Sequence, residues 1–274
     1  MRAEALLLFF SFSIGIVTGD WNILSYTTKK RDHHQHHAGI SLKNYCESWR
    51  INVELNNIRG FDVVPGECVG YIGKYMTSTQ YKVDVQRAAE QTTLFLTNNF
   101  RLGADGKDAW IFDIDDTLLS TVPYFKKHQH GAVLGCRGAT TNSTSMEQWM
   151  EERSAPAVEH MLDLYHEIRA RGLKIFLISS RREHLRDATI DNLVKVGYLG
   201  WTDLILRCAE DCYHAVANYK TEKRRKLIEQ GYHLWGIMGD QWCSLVGHPS
   251  ANRTFKLPNP MSFFCCLSLA CSQR

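Results

Sequence analysis

The chain has 274 residues, of which 44% are hydrophobic and 22% are charged, with only six prolines and a formal net charge of +3. This composition excludes a disordered chain or a repeat array, and it predicts one globular α/β domain with extensions. The basic runs, Arg181-Arg182 and Lys223 to Lys226, are short, so we interpret them as solvated helix faces and expect no nucleic-acid partner.

Residues 1–19 have the pattern of a secretory signal peptide. Arg2 precedes an apolar core from Ala5 to Val17, and we expect cleavage after residue 19. The core is shorter than the ~20 apolar residues of a membrane-spanning helix, so we expect no membrane span after signal cleavage. Two Asn-x-Ser/Thr sequons agree with the secretory pathway and make Asn142 and Asn252 candidate glycosylation sites.

Nine cysteines also permit disulfides in an oxidising compartment. We expect a disulfide between Cys46 and Cys68, because both precede the first predicted strand. Cys208 and Cys212 are either a second disulfide pair or a chance spacing.

Residues 20–43 are predicted to form a disordered segment with several histidines. We interpret it as a solvated tail, with capture of a transition metal as the alternative. From Tyr45 to Tyr75 the composition becomes globular, and apolar residues at helical spacing predict an amphipathic helix over about 78–97. We expect these N-terminal pieces to pack on a sheet beside the functional site.

The chain is organised around an apolar run that ends in carboxylates. Trp110, Ile111 and Phe112 predict a buried strand of a parallel sheet, and Asp113 and Asp115 follow at its carboxyl end. In open α/β sheets this end borders the ligand crevice. Two carboxylates so close together repel each other unless a cation or a shared proton compensates.

Three interpretations of this acidic cluster are open. A calcium-binding loop is disfavoured, because Leu118 follows Thr117 where such a loop has glycine. The cluster is also typical of a helix N-cap at Asp115 or Asp116. The third interpretation is a nucleophile with an acid-base partner for phosphoryl transfer, since aspartate carboxylates form aspartyl-phosphate intermediates.

A long connection follows the cluster. Residues 123–131 are predicted to form a loop over the carboxylates, in which Tyr124, His128 and His130 either contact a substrate or pack within the loop. A helix comes next, with Ser154 as its expected N-cap.

Three more apolar runs predict strands, and two of them end at polar residues: Leu173 to Ile178 (then Ser179), Leu204 to Leu206, and Leu234 to Met238 (then Gly239 and Asp240). A helix over 182–196 is expected after Ser179, where a hydroxyl and backbone N–H groups suit a phosphate. Because strands joined by helices form right-handed crossovers, Asp113, Ser179 and Asp240 are expected at one edge of one sheet.

Lys220 precedes a helix that we expect to begin at Thr221 and to end at Gly231. A lysine at that position is unfavourable for the helix dipole, which attracts anions to the helix N-terminus. A bound phosphate would remove this mismatch.

In this order, the motifs resemble those of the haloacid dehalogenase (HAD) superfamily: Asp-x-Asp-x-Thr, a strand ending in Ser, a Lys, and Gly-Asp after another strand. Over residues 44–260 the chain more closely resembles the plant acid phosphatases and vegetative storage proteins of HAD subfamily IIIB. The matching segments are Cys46 to Arg50, Val64 to Cys68, Phe112 to Ser120, Lys174 to Arg181, Tyr219 to Arg224, and Gly239 to Trp242.

The resemblance implies a Rossmann-like α/β core over residues 108–260, with a parallel sheet and helices on both faces. A mainly helical extension over 44–107 would precede it, with a small cap or none. The resemblance also implies a small phosphomonoester substrate, Mg²⁺ as cofactor, and an extracellular or vacuolar destination, with a homodimer left open.

The family's mechanism, carried onto this sequence, makes Asp113 the nucleophile that becomes the aspartyl-phosphate. Asp115 would protonate the leaving oxygen and later activate water. The remaining roles are phosphate binding by Ser179 and Lys220, orientation of the loop at this phosphate-binding site by Thr117, and magnesium binding by Asp113, the Asp115 backbone carbonyl and Asp240.

The chain departs from the family pattern in three places. One is Cys208 and Cys212, which stand where relatives typically have glycine and a flexible polar turn. The family usually has a second Asp four residues after Asp240, where this chain has Ser244. A hydroxyl there can bind a metal-bound water but brings no charge. Residues 261–274 form a tail unlike the family's usual ending.

Two functional hypotheses follow from the resemblance. The first is an acid phosphatase acting on small phosphomonoesters, and the second is a storage glycoprotein with weak or no phosphatase activity. Asp113, which some storage relatives lack, favours the enzyme, whereas Ser244 favours storage. A weaker third hypothesis is phosphotransfer, or binding of phosphorylated ligands without turnover.

Overall fold

The computed structural model of the chain describes residues 40–59, 61, 64–127 and 140–261, without the side chains of residues 140–144, 212 and 213. The expected signal peptide, the histidine segment up to residue 39 and the tail after Met261 lie outside the described residues. So do His128, His130 and the side chain of Asn142. No helix in the described ranges has the length and apolar character needed to cross a membrane.

A parallel five-stranded sheet forms the centre of the fold. Its strands, in the order β3-β2-β1-β4-β5, are Asp108–Phe112 (β1), Lys174–Arg182 (β2), Asp203–Arg207 (β3), His233–Gly239 (β4) and Arg253–Lys256 (β5). This order confirms the predicted Rossmann-like α/β fold. Strand β5 was not predicted, because in this short edge strand only Phe255 is buried.

Strand β1 lies in the middle of the sheet, and all five of its residues are buried. Trp110 and Phe112 join the larger hydrophobic core on one face, whereas Ala109 and Ile111 join a smaller core on the other. A strand that is covered on both faces needs apolar side chains at successive positions, which explains the continuous apolar run.

Helices cover both faces of the sheet. They are Leu42–Glu54 (α1), Val69–Met76 (α2), Thr79–Asn99 (α3), Val122–Lys127 (α4), Thr140–Glu151 (α5), Met161–Ala170 (α6), Arg186–Lys195 (α7), Val216–Glu229 (α8) and Trp242–Leu245 (α9). Side chains of α1, α2, α3, α6 and α7 belong to the larger core, and side chains of α8 and α9 belong to the smaller one. The amphipathic helix expected over 78–97 is α3, and the Ser78 side chain caps it.

The helix expected from Ser154 begins later than predicted, at Met161. The reason is a long-range contact: the Asn192 side chain accepts from the Ala155 N–H and donates to the Ala155 carbonyl. Bonds of this kind satisfy backbone groups that a helix would otherwise use, so the segment before Met161 stays non-helical.

Two other predicted helix starts were also wrong. Strand β2 continues through Arg182, which pairs in register with Arg207 of β3, and α7 begins only at Arg186. Helix α8 begins at Val216, so Lys220 lies in its second turn and not at its start. Lys220 is therefore not an unfavourable cation at a helix N-terminus, and the argument for a bound phosphate that was based on the helix dipole does not apply.

The acidic cluster does not cap a helix. Residues 115–119 form a turn, Asp115 and Leu119 make a β-bridge, and the next helix is α4. The predicted loop over 123–131 is accordingly helical up to Lys127. The N-cap interpretation of Asp115 or Asp116 was wrong.

The N-terminal extension lies against the end of the sheet. The Lys256 ammonium is 2.6 Å from the Glu54 carboxylate at the end of α1, and the Trp242 indole N–H donates to the Glu54 carbonyl at 3.1 Å. Helix α1 therefore contacts β5 and the short helix α9.

Cys46 and Cys68, the pair expected from the sequence, form a disulfide with Cα atoms 5.3 Å apart. Cys243 on α9 is also disulfide-bonded. Cys208 is not in a disulfide, so the suggested pairing with Cys212 was wrong. The Cys208 thiol instead contacts the Asp211 carboxylate at 2.9 Å.

Candidate active site

Asp113 lies just beyond β1, at the carboxyl edge of the sheet. Its backbone N–H continues the ladder to the Met238 carbonyl, and its Oδ1 accepts from the Ile114 N–H at 2.8 Å. Its Oδ2 accepts from the Lys220 ammonium at 2.5 Å and from the Ser244 hydroxyl at 2.6 Å. The carboxylate is therefore fixed in orientation and paired with a cation.

Lys220 and Ser244 reach Asp113 from the two helices on the smaller-core face. The Lys220 ammonium also donates to the Ser244 hydroxyl at 2.9 Å, which closes a triangle of three buried groups. Gly239 permits this approach, because a Cβ there would stand 3.0 Å from the Ser244 Cβ and 3.6 Å from the Asp113 Cβ.

Asp115 faces a different partner. Arg181, beyond Ser179 in β2, donates from Nη2 to Asp115 Oδ1 at 2.7 Å and from Nε to Oδ2 at 3.0 Å. The guanidinium is almost fully buried, whereas one fifth of the Asp115 side chain is exposed. The prediction that Arg181 lies on a solvated helix face was wrong, because Arg181 is buried within β2.

Ser179 lies at the same sheet edge. Leu177 pairs with Phe112 in the sheet register, and Ser179 follows Leu177 by two residues. The buried Ser179 hydroxyl accepts from the Arg181 N–H at 3.1 Å. Thus β1 and β2 bring Asp113, Asp115, Ser179 and Arg181 to neighbouring positions.

Asp240 directly follows β4 and lies in a buried polar cluster with Asp116. Thr117 is fully buried here: its hydroxyl contacts Asp240 Oδ1 at 3.3 Å and accepts from the Asp240 N–H at 3.1 Å. The Asn259 amide donates to Asp240 at 2.7 Å and to Asp116 at 3.2 Å. Thr121 donates to Asp116 through its backbone N–H and its hydroxyl.

Both carboxylates in this cluster have raised pKa values. Burial, followed by the charge of Asp240, raises the pKa of Asp116. Burial, followed by the charge of Asp113, raises the pKa of Asp240. Negative charge therefore accumulates between β1 and β4, and protons or a cation would relieve it.

The donor set next to this charge suits one class of metal. Among the described residues, no group of three or more His, Cys, Asp or Glu side chains is arranged to hold a metal ion. A hard cation that keeps several waters needs fewer protein ligands: Mg²⁺ is commonly bound by one or two carboxylates plus substrate phosphate. Asp113 and Asp240 provide such a pair of oxygen donors.

Two candidate residues lie apart from this cluster. Tyr124 is buried between α4 and α5, where its ring contacts Trp149 and its hydroxyl is 3.4 Å from the Ser145 hydroxyl. Asn252 is exposed at a bend before β5.

Sequence reasoning missed three residues that complete the polar cluster: Arg181, Asp116 and Asn259. A signal existed for two of them. Arg181 is a charged residue that closely follows the apolar run ending at Ile178, and Asn259 stands between two prolines, which restrict the backbone around it. Neither signal identifies the partner, because the contacts join residues far apart in the chain.

Comparisons with known proteins identify the family. The model of the HAD superfamily, subfamily IIIB (Acid phosphatase) matches residues 31–264. Acid phosphatase 1 of Solanum lycopersicum is 37% identical over 218 residues, covering 80% of this chain and 83% of that protein. Vegetative storage protein 1 of Arabidopsis thaliana is 37% identical over 229 residues, covering 82% and 81% of the two chains.

A solved structure shows the same fold. The class C acid phosphatase of Bacillus anthracis with tungstate bound superposes with a TM-score of 0.58 at 20% identity, over 71% of this chain and 84% of that one. The stem 28 kDa glycoprotein of Glycine max is a further relative, 40% identical over 220 residues and covering 80% of this chain and 83% of that protein. The chain therefore belongs to the acid phosphatase family of HAD subfamily IIIB.

Proposed function

We propose that this protein is an acid phosphatase that hydrolyses small phosphomonoesters through an aspartyl-phosphate on Asp113. The observation that carries the proposal is the buried Asp113 carboxylate at the carboxyl edge of β1, with the Lys220 ammonium 2.5 Å from it. A carboxylate held in a fixed orientation can attack phosphorus, and the ammonium beside it can bind the phosphoryl oxygens.

The first step transfers the phosphoryl group to the enzyme. An Asp113 oxygen attacks phosphorus, a new O–P bond forms, and the bond from phosphorus to the ester oxygen breaks. The leaving oxygen takes a proton from Asp115, whose exposed side can face the crevice. The products of this step are the free alcohol and the aspartyl-phosphate.

The second step regenerates the enzyme. Water attacks phosphorus, gives a proton to the Asp115 carboxylate, and the bond from phosphorus to Asp113 breaks. Inorganic phosphate leaves, and both residues return to their starting states. In both steps Lys220 and Ser179 would bind the phosphoryl oxygens and stabilise the charge of the transition state.

A divalent cation belongs to this proposal. Asp113, Asp240 and the Asp115 backbone carbonyl would hold Mg²⁺, which would supply positive charge to the phosphoryl oxygens when bound. Thr117 and Asn259 would fix the Asp240 carboxylate through the hydrogen bonds described above.

The destination of the protein is proposed from its sequence features. The expected signal peptide and the exposed sequon at Asn252 support a secreted or vacuolar glycoprotein. Ser244 favours a second candidate function, a storage protein with weak or no phosphatase activity. Its hydroxyl donates to Asp113 but adds no charged ligand for a metal.

The test is hydrolysis of 4-nitrophenyl phosphate at acidic pH by the natural chain and by Asp113→Asn, with Mg²⁺ or with a chelator. We expect the variant to lose activity by about 10³-fold or more, because an amide does not form the acyl phosphate. The natural chain should require the metal. Equal activity of the two proteins would overturn the phosphatase proposal, and a natural chain without turnover would support the storage function.

A further inference from the structure

Arg181 and Asp115 form a pair with defined geometry. The Arg181 guanidinium donates to both oxygens of Asp115, with distances of 2.7 Å from Nη2 to Oδ1 and 3.0 Å from Nε to Oδ2. Such a two-point contact fixes the plane of the carboxyl group, which a single point charge does not do.

The burial of the two partners shows which one faces the crevice. Arg181 has 1% of its side chain exposed, whereas Asp115 has 20%. The guanidinium thus lies beneath the carboxyl group, and Asp115 is the member of the pair that a ligand can reach. This arrangement favours an indirect role for Arg181 over direct binding of phosphate.

Arg181 is itself held from a second side. Its Nη1 donates to the hydroxyl of Thr189 on α7 at 3.1 Å, and Thr189 is fully buried. A chain of contacts therefore runs from α7 through the guanidinium to Asp115.

We propose that Arg181 is a positioning residue that acts through Asp115, by holding the carboxyl group so that its exposed side faces the leaving-group oxygen. The proposal rests on the proposed phosphatase function and assigns Arg181 to proton transfer, separately from phosphate binding. Its consequence depends on the leaving group. An alkoxide needs a proton as it leaves, whereas a nitrophenolate leaves without one.

The experiment compares kcat and KM for glycerol phosphate and 4-nitrophenyl phosphate in the natural chain, Arg181→Gln, Asp115→Asn and the double variant. The value of kcat/KM reports formation of the aspartyl-phosphate and leaves out its hydrolysis, which is common to both esters. We expect Arg181→Gln to lower kcat/KM by about 10²-fold for the alkyl ester and by less than about threefold for the aryl ester. The KM for the alkyl ester should stay nearly unchanged. In the Asp115→Asn background, Arg181→Gln should cost no further activity, because its effect passes through Asp115.

Three further variants guard against a general structural effect. Arg181→Lys keeps the charge but not the two-point contact, so it should behave like Arg181→Gln. Thr189→Val should lower alkyl-ester turnover in the same sense, and Thr189→Ser should restore it. Arg171→Gln is the control: Arg171 donates from Nε and Nη2 to one oxygen of Glu167 on α6, and its loss should leave both esters unaffected.

Equal losses for both esters, a change confined to KM, or losses that multiply in the double variant would overturn the role of Arg181. Those results would assign Arg181 to phosphate binding or to folding instead. A natural chain as inactive as Asp113→Asn would overturn the phosphatase function, and with it this inference. The two failures are therefore distinguishable.

Discussion

Ser244 stands at the centre of the contacts around Asp113. Its hydroxyl donates to the same Asp113 oxygen that accepts from Lys220, so the nucleophile has two protein donors on one oxygen. An aspartate at this position, as in the family pattern, would accept from Lys220 and compete with Asp113 for it. The serine therefore leaves the lysine paired with the nucleophile.

Ser244→Asp should increase the affinity of the site for Mg²⁺. A carboxylate there would bind a metal-bound water and withdraw Lys220 from Asp113, so the Mg²⁺ concentration for half-maximal activity should fall by about tenfold or more. Ser244→Asn, neutral and similar in size to Asp, is the control and should leave that concentration unchanged. If Ser244→Asp also changes nothing, this position has no part in metal binding.

Single contacts of this kind were the hardest part of the site to predict. The positions of Asp113, Ser179 and Asp240 at one sheet edge follow from apolar runs and crossover geometry, which are local or topological properties. The pairing of Arg181 with Asp115 and the position of Asn259 between two carboxylates depend on tertiary packing, which no spacing in the sequence encodes.

At the scale of elements, Arg224 joins α8 to the chain that follows α9. This buried guanidinium donates to the carbonyls of Ser244, Val246 and Pro249 and to the hydroxyl of Thr221. The interpretation of Lys223 to Lys226 as a solvated helix face was therefore wrong at Arg224. Burial lowers its pKa to about 10, so it stays charged at neutral pH. One turn earlier, Lys220 contacts the Ser244 side chain, so α8 holds Ser244 by both its backbone and its side chain.

Arg224→Met should destabilise the protein by about 3 kcal/mol, because it leaves buried carbonyl groups without donors. The melting temperature should fall by about 6–12 °C, as expected for a chain of this size. Arg225→Gln on the same helix is the control. Arg225 pairs with Glu222 and Glu229 at the surface, so its loss should change stability by less than about 0.5 kcal/mol. Similar melting temperatures for both variants would contradict the bridging role of Arg224.

The elements themselves were predicted unevenly. Strands β1, β2, β3 and β4 are apolar runs and were found, whereas β5 has one buried side chain and was missed. The starts of α6, α7 and α8 were wrong because contacts between distant segments override local capping signals. Asn192, which binds the backbone at Ala155, is the clearest case.

For the whole molecule, the buried carboxylates link stability to pH. Burial and the charge of Asp240 raise the pKa of Asp116 to about 8, above the value near 3.9 of an unfolded aspartate. The folded state then binds more protons than the unfolded state between these values, so the free energy of unfolding falls as pH rises through this window. The raised pKa of Asp240 acts in the same direction.

Without metal, the natural chain should therefore be more stable at pH 5 than at pH 8, because the folded state keeps the Asp116 proton at pH 5 and loses it as the pH rises. Asp116→Asn removes this titration and should flatten the dependence, as measured by denaturant unfolding at both pH values in a chelator. Asp187→Asn, at an exposed position, is the control and should keep the natural slope. A variant of Asp116 with an unchanged slope would contradict the prediction.

The larger hydrophobic core includes Trp49 of α1 and Leu96 of α3 together with Trp110 and Phe112 of β1. Residues 44–107 thus share one interior with the sheet, although the sequence favours a division from the catalytic core near residue 107. We expect the two parts to melt in a single cooperative transition. A chain shortened to the Rossmann-like portion would expose to water the part of this core that α1, α2 and α3 cover, and we expect it to aggregate.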